Sequence, residues 1–365
     1  MEPVQIHNGL EGITVAATEL SHVDGERGVL ILRGHSVDRL APEATFEDVA
    51  YLLWHGSLPN ASERAELAAQ LYAGRAKAFE RLADARPALA AQDAMDALRG
   101  ATALLTERDS ADLPGLLTGA LAVFAAAHAR IRAGREPIAP RKDHSHAADY
   151  LAMLSGTEPS PALVRALDTY LVTVSDHGLN ASTFAARCVI STATDSVSAV
   201  VAAIGSLKGP LHGGAPGAVL EMLDAIGTPE RAEAWLSAAL DRGERIMGMG
   251  HRIYRVRDPR ADVLEAAIKR LTRQLGGSDR LELARSVEST AARLLDERHP
   301  GRALRANVEF NTAVLLDAIG LDRTLFTATF AVSRVAGWLG HIDEQRRTGK
   351  LIRPRALYTG PLPVA

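Results

Sequence analysis

The chain has 365 residues, of which 47% are hydrophobic and 23% are charged, and its formal net charge is -3 at pH 7. This near-neutral balance argues against a protein dedicated to nucleic acid or to a membrane surface. The length allows a substantial core and two domains. Aromatic residues make up only 4% of the chain and alanine is abundant, so the composition favours a core built from helices.

The expected location is the cytoplasm. Cys188 is the only cysteine, so an internal disulfide is impossible and the chain suits a reducing compartment. The first seven residues lack a basic region followed by an apolar core, so we expect no signal peptide. The longest apolar run, residues 120–127, falls short of the roughly 20 residues that span a bilayer.

The first elements are extended and the remainder of the chain is predicted to be helical. Residues 12–20 and 28–34 flank a turn at 24–26, which predicts a short hairpin or an extended lead-in. Thr45 and Asp48 form a capping-box pattern before a helix that Gly56 ends. Apolar spacing and helix-breaking residues predict further helices at 62–86, 94–106, 114–133, 162–175, 182–192, 195–207, 218–226, 231–242, 261–271, 280–298, 308–319 and 324–345.

A loop is predicted at 136–148, with two histidines one residue apart. His144 and His146 could be metal ligands. No other ligand stands at a useful spacing, so the pattern favours an exposed polar loop, and we predict no metal site.

The stretch from Gly248 to Arg260 is the strongest functional signal. Its glycines allow a close approach of the backbone, and His251 and four arginines follow them. Asp258 and the proline after it mark a helix start, which places Arg260 in a first turn whose N–H groups attract anions. The stretch therefore predicts a site for a polyanionic small molecule. The alternative is a solvated basic loop, which would not explain the glycines beside the histidine.

Three titratable side chains lie in loops or helix starts. His212 stands among glycines and prolines near a helix N-terminus, and His251 stands among arginines, so both are expected to be neutral. Glu309 follows Asn307, a good N-cap residue, where the helix dipole favours a carboxylate. One carboxylate and two neutral histidines suit proton abstraction beside a carbonyl and attack on a second carbonyl. The alternative for each residue is a capping or core role.

Amphipathic surface patterns alone do not explain the positions of three arginines: Arg260, Arg334 and Arg353. The neighbours of Arg334 are apolar, and a partly buried arginine needs a carboxylate partner. The carboxylates of a substrate would serve. For any single arginine, an internal salt bridge is the alternative.

Together and in this order, these motifs resemble the citrate synthase family. The resemblance implies an all-α, two-domain fold with a short N-terminal hairpin and an active site in the cleft between the domains. The large helical domain would comprise 1–212 and 316–365, and the small one 213–315. The stretches that carry the resemblance are 10–12 with 24–26, 46–58, 176–183, 209–214, 248–260, 307–310, 326–345 and 352–360.

The resemblance also implies a reaction, an assembly and a set of roles. The enzyme would be a homodimeric acyltransferase that condenses acetyl-CoA with oxaloacetate, with the thioester as co-substrate and no further cofactor. His212, His251 and Glu309 would be catalytic. Oxaloacetate would be held by His177, Arg260, Arg334 and, from the partner subunit, Arg353. Coenzyme A would be contacted by Ile246, Met247, Gly248, Met249, Gly250, Arg255, Arg302 and Asn307.

The chain departs from the family pattern at three places. Glu309 stands where the family usually has aspartate, and a misplacement of about 1 Å can cost roughly a hundredfold in rate. Gly178 replaces a glutamate, and Pro216 and Gly217 replace an Asn-Glu pair. The alternatives to citrate synthase are therefore a 2-methylcitrate synthase that uses propionyl-CoA and a weakly active paralogue that binds CoA.

Overall fold

The structure is a computed structural model, and it describes residues 6–10, 12–213, 215–250, 254, 256–276, 279–302 and 304–361. Within these residues its regular secondary structure is helical, as predicted, apart from one small sheet. The sixteen described α-helices are α1 Val37–Leu40, α2 Phe46–His55, α3 Ala61–Glu80, α4 Leu82–Leu89, α5 Ala94–Thr102, α6 Leu113–Arg132, α7 His146–Ser155, α8 Pro161–Val174, α9 Ala181–Ile190, α10 Ser196–Leu207, α11 Ala215–Ile226, α12 Ala232–Asp241, α13 Pro259–Leu275, α14 Asp279–Arg298, α15 Val308–Ile319 and α16 Phe326–Thr348.

The N-terminal sheet has three antiparallel strands, β1 Ser21–Asp24, β2 Val29–Leu32 and β3 His35–Ser36. The predicted hairpin is present, but its first strand is β1 and not residues 12–20. The backbone before β1 bonds elsewhere, since the Glu19 N–H donates to the Glu344 carboxylate on α16 at 2.8 Å. The hairpin turn also reaches the loop before α13, because a Cβ on Gly28 would lie 2.9 Å from the Arg257 carbonyl oxygen.

The start and end of α2 show how local chemistry sets the helix boundaries. Thr45 accepts from the Asp48 N–H, and the Asp48 carboxylate accepts from the Thr45 N–H, so the predicted capping box is confirmed. Gly56 ends the helix at φ +89°, a left-handed conformation that glycine adopts without steric cost.

Two local predictions were wrong. The helix predicted at 62–86 does not end there, since Pro87 lies inside α4. The helical run is interrupted instead at Arg81, whose N–H donates to the Ala78 carbonyl only three residues back. The loop histidines are not exposed. His146 is completely buried, with its ring stacked on Phe46, and the sequence could not show these distant packing partners.

The helix α6 runs through the core and packs closely on α3. A Cβ on Gly74 of α3 would lie 2.0 Å from the Gly115 carbonyl oxygen, so only glycine permits this crossing. By length and composition α6 could cross a membrane, but 78% of its apolar window is buried inside the protein. We interpret α6 as the core helix of a globular protein, as the sequence predicted.

The long helix α16 carries polar residues into the interior. Arg334, Trp338 and His341 are each at most 1% exposed, and their spacing of four and three residues puts them on one side of the helix. Gly337 lets the backbone of Ser175 pack against this helix, since a Cβ there would lie 2.4 Å from the Ser175 carbonyl oxygen. In this way α16 supports the 176–183 loop.

Candidate active site

One cavity of about 900 Å³ collects most of the predicted site residues. Residues of both the predicted large domain and the predicted small domain line it. The boundaries of these domains stay a prediction. The predicted site residues that line it are His177, His212, Ile246, Met249, Gly250, Arg260, Arg302, Asn307, Glu309 and Arg334.

Glu309 is placed in the cavity by the start of α15. Asn307 caps this helix, and its side-chain oxygen accepts from the N–H groups of Glu309 and Phe310 at 3.0 and 3.2 Å. Within the described residues, no hydrogen bond reaches the Glu309 carboxylate. Burial raises its pKa to about 7, against the opposing effect of the Arg260 charge. A carboxylate with this pKa suits a general base at neutral pH.

Asp258 orients Arg260 at the start of α13. Asp258 caps the helix by accepting from the Arg260 N–H at 3.0 Å. Its carboxylate also accepts from the Arg260 side chain, at 3.1 Å from Nε and 2.7 Å from Nη2. Arg260 is therefore held by Asp258, the N-cap residue of its helix. Its side chain is buried, with the residue 4% exposed, and it still borders the cavity. The sequence identified Asp258 only as a cap, and the second role depends on side-chain geometry.

Arg334 is the second buried cation of the cavity. Its Nε donates to the Val174 carbonyl at 2.7 Å, and its guanidinium lies 4.6 Å from the centre of the Phe330 ring. Burial lowers its pKa to about 10, so it stays charged at neutral pH. Within the described residues no carboxylate forms an ion pair with it. The described residues therefore do not supply the carboxylate partner that a buried arginine needs.

The 176–183 stretch holds His177 near Arg260, with Tyr254 between them. The His177 Nε2 lies 3.0 Å from the Tyr254 hydroxyl, and Arg260 lies 5.9 Å from the centre of the Tyr254 ring. Tyr254 was not singled out in the sequence, although it lies inside the 248–260 stretch. It joins the loop that carries His177 to the start of α13.

A buried network fixes the root of the same loop. The Asp176 carboxylate accepts from the Ser21 hydroxyl at 2.5 Å and lies 3.3 Å from His341 Nε2. The other His341 nitrogen lies 3.0 Å from Arg187, which pairs with Glu344 at 2.6 Å. Although burial opposes it, His341 and Ser21 hold the pKa of Asp176 below its ordinary value. The loop is therefore anchored to the sheet, α9 and α16.

His212 is held by the start of α9. Its Nε2 lies 3.3 Å from the Ser182 backbone nitrogen and 2.8 Å from the Ser182 hydroxyl. A backbone N–H can only donate, so Nε2 accepts and the neutral ring carries its proton on Nδ1. Burial, followed by the Arg334 charge, lowers the pKa of His212 to about 4. The predicted neutral histidine thus has a defined tautomer, which the sequence could not give.

The loop 246–250 is tied to the start of α15. The Asn307 side chain donates to the Gly250 carbonyl at 2.8 Å, and the Asn307 N–H donates to the Gly248 carbonyl at 2.9 Å. Gly248 has φ +76°, and a Cβ there would lie 2.8 Å from Cβ of Phe310. Gly248 therefore packs behind the loop and does not line the cavity, and Met247 does not line it either.

The remaining predicted residues lie elsewhere. Arg353 is exposed on the C-terminal segment and does not line the cavity. His251 and Arg255 lie outside the described residues. Arg245 and His299 line the cavity near Arg302 but were not predicted, because exposed basic residues are common on any surface. Among the described residues, no group of three or more His, Cys, Asp or Glu could hold a metal ion.

Comparisons with known proteins agree with the motif resemblance. Residues 9–355 match the family model described as citrate synthase, C-terminal domain. The chain is 41% identical to "Citrate synthase 2" of Bacillus subtilis, over 97% of this chain and 95% of that protein. It is also similar to the citrate synthase structure from Pyrobaculum aerophilum, with 34% identity, a TM-score of 0.88 and coverage of 99% and 94% of the two chains.

A second solved structure is similar over the same extent. It is the ternary complex of carboxymethyl coenzyme A and oxaloacetate with citrate synthase from Thermoplasma acidophilum. The identity is 27%, the TM-score is 0.87, and the match covers 99% of this chain and 98% of that one. With nearly full-length matches in sequence and in structure, the chain belongs to the citrate synthase family.

Proposed function

We propose that this enzyme condenses acetyl-CoA with oxaloacetate and water to give citrate and free CoA, the entry reaction of the tricarboxylic acid cycle. The observation that carries the proposal is one cavity with a carboxylate of raised pKa, a neutral histidine and two buried arginines. These are the groups that a carbon–carbon bond-forming reaction between a thioester and a dicarboxylate needs.

Glu309 and His212 act on the thioester. The Glu309 carboxylate removes a proton from the methyl group of acetyl-CoA. The Nδ1–H of His212 donates to the carbonyl oxygen, where negative charge develops as the methyl proton leaves. Burial keeps His212 neutral at working pH, so it acts as a hydrogen-bond donor that does not need to lose or gain a charge.

Arg260, Arg334 and His177 bind oxaloacetate. Arg334 has no carboxylate partner within the described chain, and a substrate carboxylate supplies one. Arg260 keeps Asp258 as its partner and borders the cavity. His251 polarises the ketone in the role implied by the family resemblance, and its position lies outside the described residues.

The chemical steps balance with these groups. The enol carbon of acetyl-CoA attacks the ketone carbon of oxaloacetate, and the ketone oxygen takes up one proton, which balances the methyl proton that Glu309 removed, to become the hydroxyl of citryl-CoA. Water then attacks the thioester carbonyl, the carbon–sulfur bond breaks, and the sulfur leaves as the CoA thiol. Hydrolysis of the thioester makes the condensation effectively irreversible.

The coenzyme A site lies along the 246–250 loop and the segment before α15. Ile246, Met249, Gly250, Arg302 and Asn307 line the cavity there. Met247 is exposed on the same loop and Gly248 packs against Phe310, so neither lines the cavity, and Arg255 is assigned from the family resemblance alone. The arginine at 302 supplies positive charge for the phosphates of the nucleotide.

We also propose that the enzyme is a cytoplasmic homodimer in which Arg353 serves the partner's site. The single cysteine supports a reducing compartment. Arg353 is exposed on a segment that the Ser191 hydroxyl holds at Ile352, so it is available to a second subunit. Mixing Arg353→Ala subunits with Glu309→Gln subunits should restore activity at one site per mixed dimer. No gain on mixing would refute the shared site.

The experiment is a thiol-release assay with oxaloacetate and acetyl-, propionyl- or butyryl-CoA. We expect release with acetyl-CoA, and loss of turnover with retained oxaloacetate binding in Glu309→Gln. A methylene group is worth only about 1–3 kcal/mol of discrimination, so the ratio between acetyl- and propionyl-CoA tests the 2-methylcitrate alternative. Absence of release with all three thioesters would leave only a CoA-binding role.

A further inference from the structure

Trp338 is connected to His212 through Ser182 and lies outside the cavity. The Trp338 indole N–H on α16 donates to the Ser182 hydroxyl oxygen at 3.1 Å, and that hydroxyl lies 2.8 Å from His212 Nε2. Trp338 and Ser182 are both completely buried. Trp338 does not line the cavity, and its indole hydrogen bond toward the site ends on Ser182.

The Ser182 hydroxyl has one proton and two acceptors at the same distance. Asn180 Oδ1 and His212 Nε2 each lie 2.8 Å from the hydroxyl oxygen. Asn180 Oδ1 already accepts from the Thr183 N–H at 3.1 Å as the N-cap of α9. The bond from the Ser182 backbone N–H to Nε2, at 3.3 Å, is the longer of the two contacts of Nε2 with Ser182. If the hydroxyl proton turned to Asn180, the hydroxyl oxygen could accept a proton from Nε2, and His212 could change its tautomer at the loss of this longer bond.

The Trp338 N–H biases this choice. It occupies one of the two lone pairs of the hydroxyl oxygen, which makes the oxygen a poorer acceptor for a second donor. It also polarises the O–H bond, which makes the hydroxyl a stronger donor. The weaker acceptor disfavours a proton on Nε2, and the stronger donor strengthens the bond that the hydroxyl makes to Nε2. We propose that Trp338 is a positioning residue that, through the Ser182 hydroxyl, keeps the proton of His212 on Nδ1, where it faces the thioester.

This inference rests on the proposed function for its kinetic consequence but not for its structural one. The tautomer of His212 is a property of the free enzyme, so it can be measured without substrate or turnover. The chain also offers a matched control, because Trp54 donates its indole N–H to the Ala336 carbonyl at 3.0 Å and takes no part in the contacts of His212.

The test compares Trp338→Phe with Trp54→Phe. In protein with 15N-labelled histidine, His212→Gln assigns the His212 signals, and the nitrogen shifts report which ring nitrogen carries the proton. We expect the parent and Trp54→Phe to show the Nδ1–H form alone. Trp338→Phe should show a mixture of both tautomers. Its kcat should fall about 3- to 10-fold, the equivalent of one hydrogen bond, with the KM for oxaloacetate unchanged.

A Trp338→Phe protein with the parent tautomer and a kcat equal to that of Trp54→Phe would overturn the proposal. If the smaller ring prevents folding, 3-benzothienylalanine at position 338 keeps the two-ring shape, replaces the N–H by sulfur and carries the same expectations. A parent enzyme without thiol release would instead refute the proposed function, and the tautomer measurement would still decide the role of Trp338.

Discussion

Replacing Glu309 by glutamine should stabilise the substrate-free enzyme at alkaline pH. Burial raises the pKa of Glu309 from 4.5 to about 7, and at about 1.4 kcal/mol for each tenfold change in proton affinity this is about 3 kcal/mol. Between these two pH values the folded protein keeps a proton that the unfolded chain releases. Its free energy of unfolding therefore falls as the pH rises across the interval. Glutamine is neutral at every pH and avoids this loss.

The assay is thermal unfolding by calorimetry from pH 4 to pH 8.5. With about 2.1 cal/mol/K of unfolding entropy per residue, the full gain for this chain is about 4 °C in Tm. Glu309→Gln should match the parent near pH 4.5 and exceed it by this amount above pH 7.

A second buried glutamate serves as the control. Glu344 is 4% exposed, and although burial opposes it, the bonds from Arg187 and the Glu19 N–H lower its pKa. Glu344→Gln should therefore lose stability above pH 4.5, by about 3 kcal/mol or more for a broken buried pair. If Glu309→Gln gains nothing at pH 8, or loses stability as Glu344→Gln does, the Glu309 carboxylate is not held in a desolvated site.

Three further results are expected. Because Glu309 must be ionised to act as a base, kcat/KM should fall below about pH 7, and a profile flat down to pH 5 would contradict its assignment. Arg334→Gln should weaken oxaloacetate binding by about 10- to 100-fold, the equivalent of a charge-assisted hydrogen bond, as measured by calorimetric titration; unchanged affinity would remove Arg334 from the site. Gly248→Ala should destabilise the protein by about 1–3 kcal/mol in urea unfolding, since its Cβ would lie 2.8 Å from that of Phe310 at a positive φ; wild-type stability would show that the loop can move away.

Local sequence chemistry predicted most helices, because their ends are set by neighbouring residues. The caps at Thr45, Asp258 and Asn307 and the stop at Gly56 all follow from residue types within a few positions. The first strand and the break at Arg81 could not be predicted in this way. The segment before the first strand is held by a distant partner, through the bond from Glu19 to Glu344, and the Arg81 side chain bonds the Leu104 carbonyl, 23 positions along the chain.

The candidate site shows the same division. His212, Glu309 and Arg260 could be found because each stands beside glycine, proline or a capping residue. The side chains that support the site could not be identified from the sequence, since the contacts of Asp176 with His341 and of Ser182 with Trp338 join residues about 160 positions apart. The burial of His146 was missed for the same reason, because its charged partner, Arg75, lies 71 positions away.

A crystal structure with oxaloacetate and carboxymethyl-CoA bound tests the central claim most directly. The account predicts both ligands in the 900 Å³ cavity, with the oxaloacetate carboxylates on Arg260 and Arg334. The acyl end of the thioester analogue should lie within hydrogen-bonding distance of His212 Nδ1 and Glu309. Ligands bound in any other cavity, or an acyl end that contacts neither side chain, would contradict it.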